Sequence, residues 1–270
     1  MRSKEKIHID HPEAWELLVS IGDKRLQYIL YTPEIAGSLI AGEATADGDD
    51  PLQALEDATY GTEELLNDYS RVRVIVHSPH FILLPQATSD EDCLMLLRHA
   101  FPAALGDEAV NVLPQEELKI AFVMPRGMRA FLGRTFNYPA VYHHLYPLCE
   151  HLHGQASGDD LSRMFLNLND KSMDMAIYSK GQLVCANSYP FNNHEDATYY
   201  ALNAWRTHGL DQLTDELQLM GDPETRAAMT PLLREYVKFV MPAVYPAQAM
   251  QLGRNAMQAP LELILLALCE

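Results

Sequence analysis

The sequence is poor in positive charge, in cysteine and in long hydrophobic runs. It has 20 lysines and arginines against 37 aspartates and glutamates, and such an acidic chain repels a phosphate backbone, which disfavours nucleic-acid binding. Its four cysteines form no Cys-x-x-Cys pair, so we expect buried thiols in a reducing compartment, the cytoplasm. The longest apolar run, residues 263–269, is far shorter than the roughly 20 residues that cross a bilayer. No membrane insertion is therefore expected.

Familiar catalytic motifs are also missing. The chain contains no Gly-x-Ser-x-Gly elbow, no Walker loop and no Gly-x-Gly-x-x-Gly. In a histidine-rich stretch, residues 143–153, Cys149 and His153 are four residues apart, as metal ligands on a helix can be. No second ligand pair follows at zinc-site spacing, so we predict solvated or capping histidines and no metal. The sequence His-Ser-Pro-His at residues 77–80 follows a predicted strand and is interpreted as a turn.

The length and the hydrophobic pattern predict two similar halves. A chain of 270 residues with 48% hydrophobic residues can form two domains. Asp50 before Pro51 predicts a helix start in the first half, and Asn193 is a candidate cap in the second. The elements predicted for the first half are strands at 15–21, 26–31, 38–45 and 72–76, helices at 51–68 and 89–101, and strands at 118–124 and 128–136.

The second half repeats the succession of three strands, helix, strand and helix. Its predicted elements are a helix at 138–153, a linker at 154–159, strands at 164–168, 173–178, 182–189 and 216–220, helices at 194–209 and 223–241, and a last apolar segment at 261–268 that suits either a helix or a strand. We therefore predict a duplicated α/β fold with domains at residues 1–137 and 138–270. Ligands of such folds usually bind in a central cleft between the domains.

The order of elements resembles that of the actin-like ATPase superfamily, whose two domains hold a nucleotide between them. Within about 162–240, the second half contains the stretches Lys180-Gly181-Gln182-Leu183, Asn187-Ser188-Tyr189-Pro190-Phe191, Glu195-Asp196, Tyr199-Tyr200, Gly209-Leu210 and Met220-Gly221. In these stretches it is similar to domain-of-unknown-function family 3822, an uncharacterised bacterial family with an actin-like fold. The resemblance implies a duplicated actin-like (ribonuclease H-like) ATPase fold, but a fold does not imply an activity.

The resemblance also locates a degenerate nucleotide cleft. In active members the first hairpin turn of each domain is glycine-rich, so that backbone N–H groups can approach the phosphates. The corresponding turns here contain Gly22 and Asp23 in the first half and Asp170 and Ser172 in the second, and one glycine, Gly221, precedes the helix near the expected adenosine. Without more glycine, close approach to phosphate is sterically poor. We therefore expect no catalytic residue and no cofactor, with ATP and magnesium as the alternative.

A polar and aromatic set lies where a predicted strand ends and the next helix starts. Its members are Asn187, Tyr189, Glu195 and Tyr199, together with Asp196 and Tyr200. One interpretation is a capping and packing device, because acidic residues stabilise a helix N-terminus and tyrosines bury their rings. The other is a surface for a protein partner, because tyrosine is enriched at interaction hot spots.

These features predict a non-catalytic actin-like protein that acts as a scaffold or assembly partner. Two alternatives stay open. One is a divergent nucleotide-dependent ATPase or phosphotransferase, which needs an acidic residue to hold magnesium. The other is a small-molecule binding module that uses the cleft between the domains.

Overall fold

A computed structural model describes residues 9–22, 24–156, 161–169 and 171–269 of the chain. It shows the mixed α/β architecture that the sequence predicts. In chain order the elements are β1 Glu16–Ile21, β2 Arg25–Tyr31, β3 Ile40–Thr45, α1 Pro51–Tyr60, β4 Arg71–Val76, β5 Phe81–Pro85, α2 Asp90–Ala100, β6 Asp107–Leu113, β7 Leu118–Met124, α3 Met128–Phe136, β8 Ala140–His143, α4 Leu145–Ala156, β9 Arg163–Leu168, β10 Ser172–Ser179, β11 Gln182–Pro190, α5 His194–Thr207, β12 Glu216–Gly221, α6 Pro223–Arg234, β13 Phe239–Pro242 and α7 Leu261–Leu268.

Helix starts lie where their capping residues predict them. The side chain of Asp50 accepts hydrogen bonds from the backbone N–H groups of Leu52 and Gln53, and Pro51 is the first residue of α1. The side chain of Asn193 accepts from Asp196 N at the start of α5. These bonds satisfy N–H groups that have no partner within the helix. Local sequence therefore determines both starts.

The chain divides into two compact units. The first contains the described residues up to Asn111, then Lys119–His144, and the residues from Pro246 onward; the second contains Val112–Leu118 and Leu145–Tyr245. This division differs from the predicted boundary at residue 137. The strand β8 belongs to the first unit because it pairs with β4, and α7 belongs there because it packs against β1.

Each unit has a five-stranded sheet with the same order of strands. In the first unit the order is β3-β2-β1-β4-β8, and in the second it is β11-β10-β9-β12-β13. In both sheets the first three strands pair antiparallel and the last two add in parallel. The duplication predicted from the sequence is thus present at the level of topology.

The core of the second unit lies between its sheet and two helices. Alternate residues of β9 and β10, such as Met164, Leu166 and Met175, point to one face, as the twofold period of a strand requires. They pack against Trp205 of α5 and Leu233 of α6. All five side chains are almost fully buried. This apolar contact fixes the helices on the sheet.

The first unit carries an insertion between β4 and α3. In the second unit β12 leads to α6 through Asp222, whereas in the first unit β5, α2, β6 and β7 stand between the equivalent elements. The three inserted strands form a separate sheet of order β5-β7-β6. It packs on α2 through a small core that contains Cys93, Leu97 and Ala121.

Three predicted elements were wrong, and four strands, β5, β6, β8 and β13, were missed. Residues 128–136 form the helix α3 instead of a strand, with Met128, Phe131, Leu132 and Phe136 buried on one helical face. Residues 138–153 are not one helix, because β8 pairs with β4 before α4 begins. The helix predicted to reach residue 241 ends at Arg234, and β13 follows. The strands β5 and β6 were not predicted, and the last apolar segment is the helix α7.

The four cysteines form no disulfide bond. Cys93 and Cys149 are buried, while Cys185 and Cys269 are half-buried, and all four are free thiols. Burial raises the pKa of Cys149 well above its ordinary value, so this thiol stays neutral. Among the residues described, no helix has both the length and the apolar character needed to cross a bilayer.

Candidate functional site

The first hairpin turn, one of the two expected phosphate sites, is closed by a backbone hydrogen bond. Ile21 pairs with Leu26 across β1 and β2. The N–H of Gly22 donates to the carbonyl oxygen of Arg25 at 2.9 Å. Asp23, the acidic residue predicted for this turn, lies outside the described residues. The N–H of Gly22 is therefore already used in closing the hairpin.

The second hairpin turn is closed in the same way. Leu168 pairs with Met173, and the N–H of Asn169 donates to the carbonyl oxygen of Ser172 at 2.8 Å. The side-chain amide of Asn169 also reaches the hydroxyl of Ser172. Asp170 lies outside the described residues. Both turns thus use one backbone N–H, that of Gly22 or of Asn169, in their own closure.

Gly221 has a structural reason to be glycine. Its φ is +88°, and a Cβ at this position would overlap the carbonyl oxygen of Leu168 and lie 2.8 Å from the side-chain oxygen of Asn167. The next residue, Asp222, donates its N–H to Leu168 O at 2.6 Å and caps α6 through Thr225 N. The glycine is therefore required where β12 meets the end of β9, whether or not a nucleotide binds nearby.

The tyrosines predicted for a partner surface lie together in the second unit. The rings of Tyr189 and Tyr200 stack at 5.2 Å, and Tyr199 meets Tyr200 edge-on at 5.9 Å. Tyr189 and Tyr200 are half-buried against the core, whereas Tyr199 is 65% exposed. We call Tyr189, Tyr199 and Tyr200 the tyrosine surface.

The two polar residues predicted with these tyrosines have separate positions. Glu195 is exposed in the first turn of α5, where a carboxylate stabilises the positive end of the helix. Asn187 lies on β11, two residues before Tyr189, and its side-chain oxygen accepts from Ser188 N at 2.9 Å. The structure thus groups the aromatic rings and gives both polar residues local roles.

A polar cluster that the sequence did not reveal lies at the carboxyl end of β1 and β4. His77 Nε2 is 3.2 Å from Ser20 Oγ and 2.8 Å from Glu262 Oε1. The hydroxyl of Ser20 also donates to Glu262. Ser20 and Glu262 are polar positions within otherwise apolar segments, which is the one sequence signal that could have pointed to them.

This cluster does not have the geometry of a hydrolytic triad. In a triad the serine and the acid contact different ring nitrogens of the histidine. Here Ser20 and Glu262 both contact Nε2, and Ser20 is only 2% exposed. The arrangement instead fixes the start of α7 on the sheet.

The charge of Glu262 is stabilised by its surroundings. Burial acts to raise the pKa of Glu262, but attraction to His77 and hydrogen bonds from His77 and Ser20 outweigh burial. The pKa therefore lies below its ordinary value, and the carboxylate is ionised at neutral pH.

Two of the histidines predicted to be solvated or capping, His143 and His144, are packed inside the first unit. His143 is fully buried and His144 is 4% exposed, so the prediction was wrong for both. The ring of His144 stacks on that of His77 at 4.8 Å, and His143 Nε2 lies 3.1 Å from the carbonyl oxygen of Ser78. Pairing of β8 with β4 carries these rings inward. Among the described residues, no three histidine, cysteine or acidic side chains form a group that could hold a metal ion.

Each unit has a five-stranded sheet of the same strand order, with helices at corresponding places between its strands. This duplicated arrangement is that of the actin-like ATPase class of fold. A Bacteroides thetaiotaomicron protein with actin-like ATPase fold and unknown function has a TM-score of 0.80 to this chain at 20% identity, covering 96% of this chain and 97% of that one. The PilM–PilN type IV pilus biogenesis complex gives a TM-score of 0.55 at 11% identity, covering 95% and 98%. No curated protein matches the sequence.

Family membership follows from the sequence itself. The model of the family described as "Protein of unknown function (DUF3822)" matches residues 4–240. The chain belongs to this family, which confirms the resemblance drawn from its second half and extends it over the first.

A pair of glycine substitutions separates a structural requirement from a tolerated position. We expect Gly221→Ala to lower the free energy of unfolding by more than about 2 kcal/mol, because of positive φ and overlap with Leu168. Gly22→Ala is the matched control, since its Cβ would lie 3.5 Å from Arg25 O, an ordinary contact; a change within about 0.5 kcal/mol is expected. Urea unfolding measures both. Equal losses would contradict the role assigned to Gly221.

The cluster at α7 predicts a pH dependence of stability. The pKa of Glu262 is lower in the folded protein than its ordinary value of 4.5. The ionised carboxylate therefore contributes to stability fully above pH 4.5, and this contribution is lost as the pH falls through the folded pKa. We expect Glu262→Gln to cost about 1–3 kcal/mol at pH 7 and less at acid pH. Urea unfolding from pH 7 to pH 3 measures the difference in free energy of unfolding between the wild-type protein and Glu262→Gln, with Glu34→Gln in an exposed loop as control. A difference that grows toward low pH would contradict the lowered pKa of Glu262.

Proposed function

We propose that the chain is a non-catalytic actin-like protein that acts as a scaffold or assembly partner. The observation that carries the proposal is the closure of both hairpin turns. At each turn a backbone N–H, that of Gly22 or of Asn169, bonds to the carbonyl three residues later. Neither of these two N–H groups is therefore available to a phosphate held at the turns.

The glycine content of the turns and the net charge of the chain favour the same conclusion. Phosphate sites in proteins rely on several converging N–H groups and on glycines that let the backbone come close. The described part of the second turn contains no glycine, and the glycine of the first is not at positive φ. The formal charge of −17 adds a further unfavourable term for a polyphosphate.

The tyrosine surface is the proposed site for a partner protein. Tyr199 is exposed on a helix, and its neighbour Tyr200 is held in place by stacking on Tyr189. A rigid aromatic anchor with few rotatable bonds loses little conformational entropy when a partner binds. PilM, a protein of similar fold, is found in a type IV pilus biogenesis complex with PilN, which is a precedent for partner binding on this fold.

Nucleotide binding is tested by thermal unfolding with Mg-ATP and with ADP. A ligand at about 100 times its dissociation constant adds roughly 2.7 kcal/mol of stability, which is several degrees for a protein of this size. We expect no shift up to millimolar nucleotide. A saturable rise that Asp23→Ala or Asp170→Ala abolishes would instead support the divergent ATPase or phosphotransferase.

The partner surface is tested by site-specific photo-crosslinking. A photoreactive phenylalanine analogue replaces Tyr199 in cells that naturally make the protein, and a second variant carries it at Tyr236, a tyrosine of the same unit that is 52% exposed. We expect a discrete protein adduct from position 199, identified by mass spectrometry, that Tyr200→Ala weakens. Identical adducts from both positions, or none from position 199, would contradict the surface.

A further inference from the structure

A cavity of about 400 Å³ lies beside α3 in the first unit. Its lining includes four branched apolar side chains, those of Leu94 on α2, Val110 on β6, Leu132 on α3 and Val141 on β8. The volume is in the range of sites that hold small organic molecules. The cavity can therefore take a ligand with an apolar body.

One face of α3 brings a cation and an aromatic ring to this cavity. Arg129 and Gly133 are four residues apart on α3, so they lie on the same face of the helix in successive turns, and both line the cavity. The ring of Tyr138, which also lines the cavity, lies over Gly133, where a Cβ would be 3.1 Å from the nearest ring carbon. The cavity wall thus has a cationic side chain on one turn of α3 and an aromatic ring over the next.

The position of Tyr138 is unfavourable for local stability. Its φ is +57°, in the left-handed region that bulky side chains rarely adopt. The residue is 86% exposed, so burial of its ring contributes little to the fold. Gly133, whose missing side chain makes room for the ring, lies within α3, where glycine weakens a helix. Residues that break local rules in this way are concentrated at functional sites.

The guanidinium of Arg129 is the positive charge of the cavity lining. It donates to the carbonyl oxygen of Glu108, and no carboxylate among the described residues lies within ion-pair distance of it. The two acids of the lining are already paired, Asp90 with Lys119 at 2.7 Å and Glu108 with Arg98 at 2.5 Å. Charge complementarity therefore favours an anionic ligand at Arg129.

The surrounding charge favours a single negative charge on that ligand. Arginine binds a carboxylate through two parallel N–H···O bonds. Asp107 lies nearby, since it accepts the backbone N–H of Arg129 at 2.8 Å, and the chain has a formal charge of −17. Both disfavour a second negative charge, such as that of a phosphate monoester. A monocarboxylate therefore fits the site better than a phosphate.

We propose that this cavity binds a small monocarboxylate with an aromatic body. Its carboxylate bonds to the guanidinium of Arg129, and its ring packs against Tyr138 and the apolar side chains of Val110 and Leu132. The cavity belongs to the first unit and the tyrosine surface to the second, so this site and the proposed function stand or fail separately.

The probe for this site is 3-phenylpropionate, titrated into the isotope-labelled full chain and followed by NMR. We expect saturable shifts of the backbone amide signals of Val110 and Gly133. The neutral 3-phenylpropionamide, the ring-free acetate ion and the dianion phenyl phosphate should each bind at least tenfold more weakly, because each lacks one feature that the site requires.

Variants separate the charge of the site from its ring. Arg129→Gln should raise the dissociation constant of 3-phenylpropionate at least tenfold, and Arg129→Lys, which keeps the charge but loses the paired donors, should raise it less. Arg126→Gln is the matched control, an exposed arginine that does not line the cavity, and should leave it unchanged. Tyr138→Asn should weaken binding at least tenfold while the urea midpoint of unfolding stays the same or rises, since asparagine tolerates the left-handed backbone.

Four results would overturn the proposal. The first is that 3-phenylpropionate does not bind or shifts only amides remote from the cavity, and the second is that the amide or phosphate analogue binds as tightly. The third is that Arg129→Gln binds like Arg126→Gln or, where Arg129→Gln does not fold, that Arg129→Lys does. The fourth is that Tyr138→Asn lowers the urea midpoint, because the strained tyrosine then serves the fold and not a ligand.

Discussion

The buried guanidinium of Arg73 is the interaction on which the first unit depends. This side chain is 2% exposed on β4, and its Nη2 donates to Glu16 at 2.9 Å and to the hydroxyl of Tyr31 at 2.8 Å. Its Nη1 donates to the carbonyls of Leu266 and Cys269 at the end of α7. A buried charge is tolerated when it is paired and hydrogen-bonded. Arg73 therefore joins three strands and the C-terminal helix in one network.

The position of α7 follows from anchors at both of its ends. Its last carbonyls have no partner within the helix, and Arg73 supplies one. Its first turn is held by Glu262 through Ser20 and His77. Burial raises the pKa of Tyr31 to about 12, so this hydroxyl stays protonated and donates to Glu16. The polar groups of this unit thus fasten a helix to a sheet.

The strand order of the sheets and the chemistry of the hairpin turns are separate features of this chain. Both units keep the strand order and pairing of the actin-like class, because these depend on apolar faces packing against helices. The strand order is kept in both units although each hairpin uses a backbone N–H, that of Gly22 or of Asn169, in its own closure. Topology alone therefore does not identify an ATPase, and the chemistry of each turn has to be considered separately.

Several elements were predictable because their causes are local. The hairpin of β1 and β2 follows from alternating apolar residues around a short turn, and Asp50 and Asn193 cap their helices with bonds to residues two or three positions away. The prediction of a strand at 128–136 was wrong because a short apolar run suits either a strand or a helix. The strand β8 was missed because its partner is β4, and its own four residues carry too little pattern.

The sequence by itself determined the duplicated α/β organisation, the main helix starts and the family. It also placed the tyrosines near one another, since β11 leads directly into α5. Only the tertiary structure decided that His77 meets Glu262, 185 residues away in the chain, and that Asn111 closes part of the edge of β8. The physical reason is that hydrophobic patterns report which face is buried, whereas pairing between distant polar groups depends on which elements finally pack together.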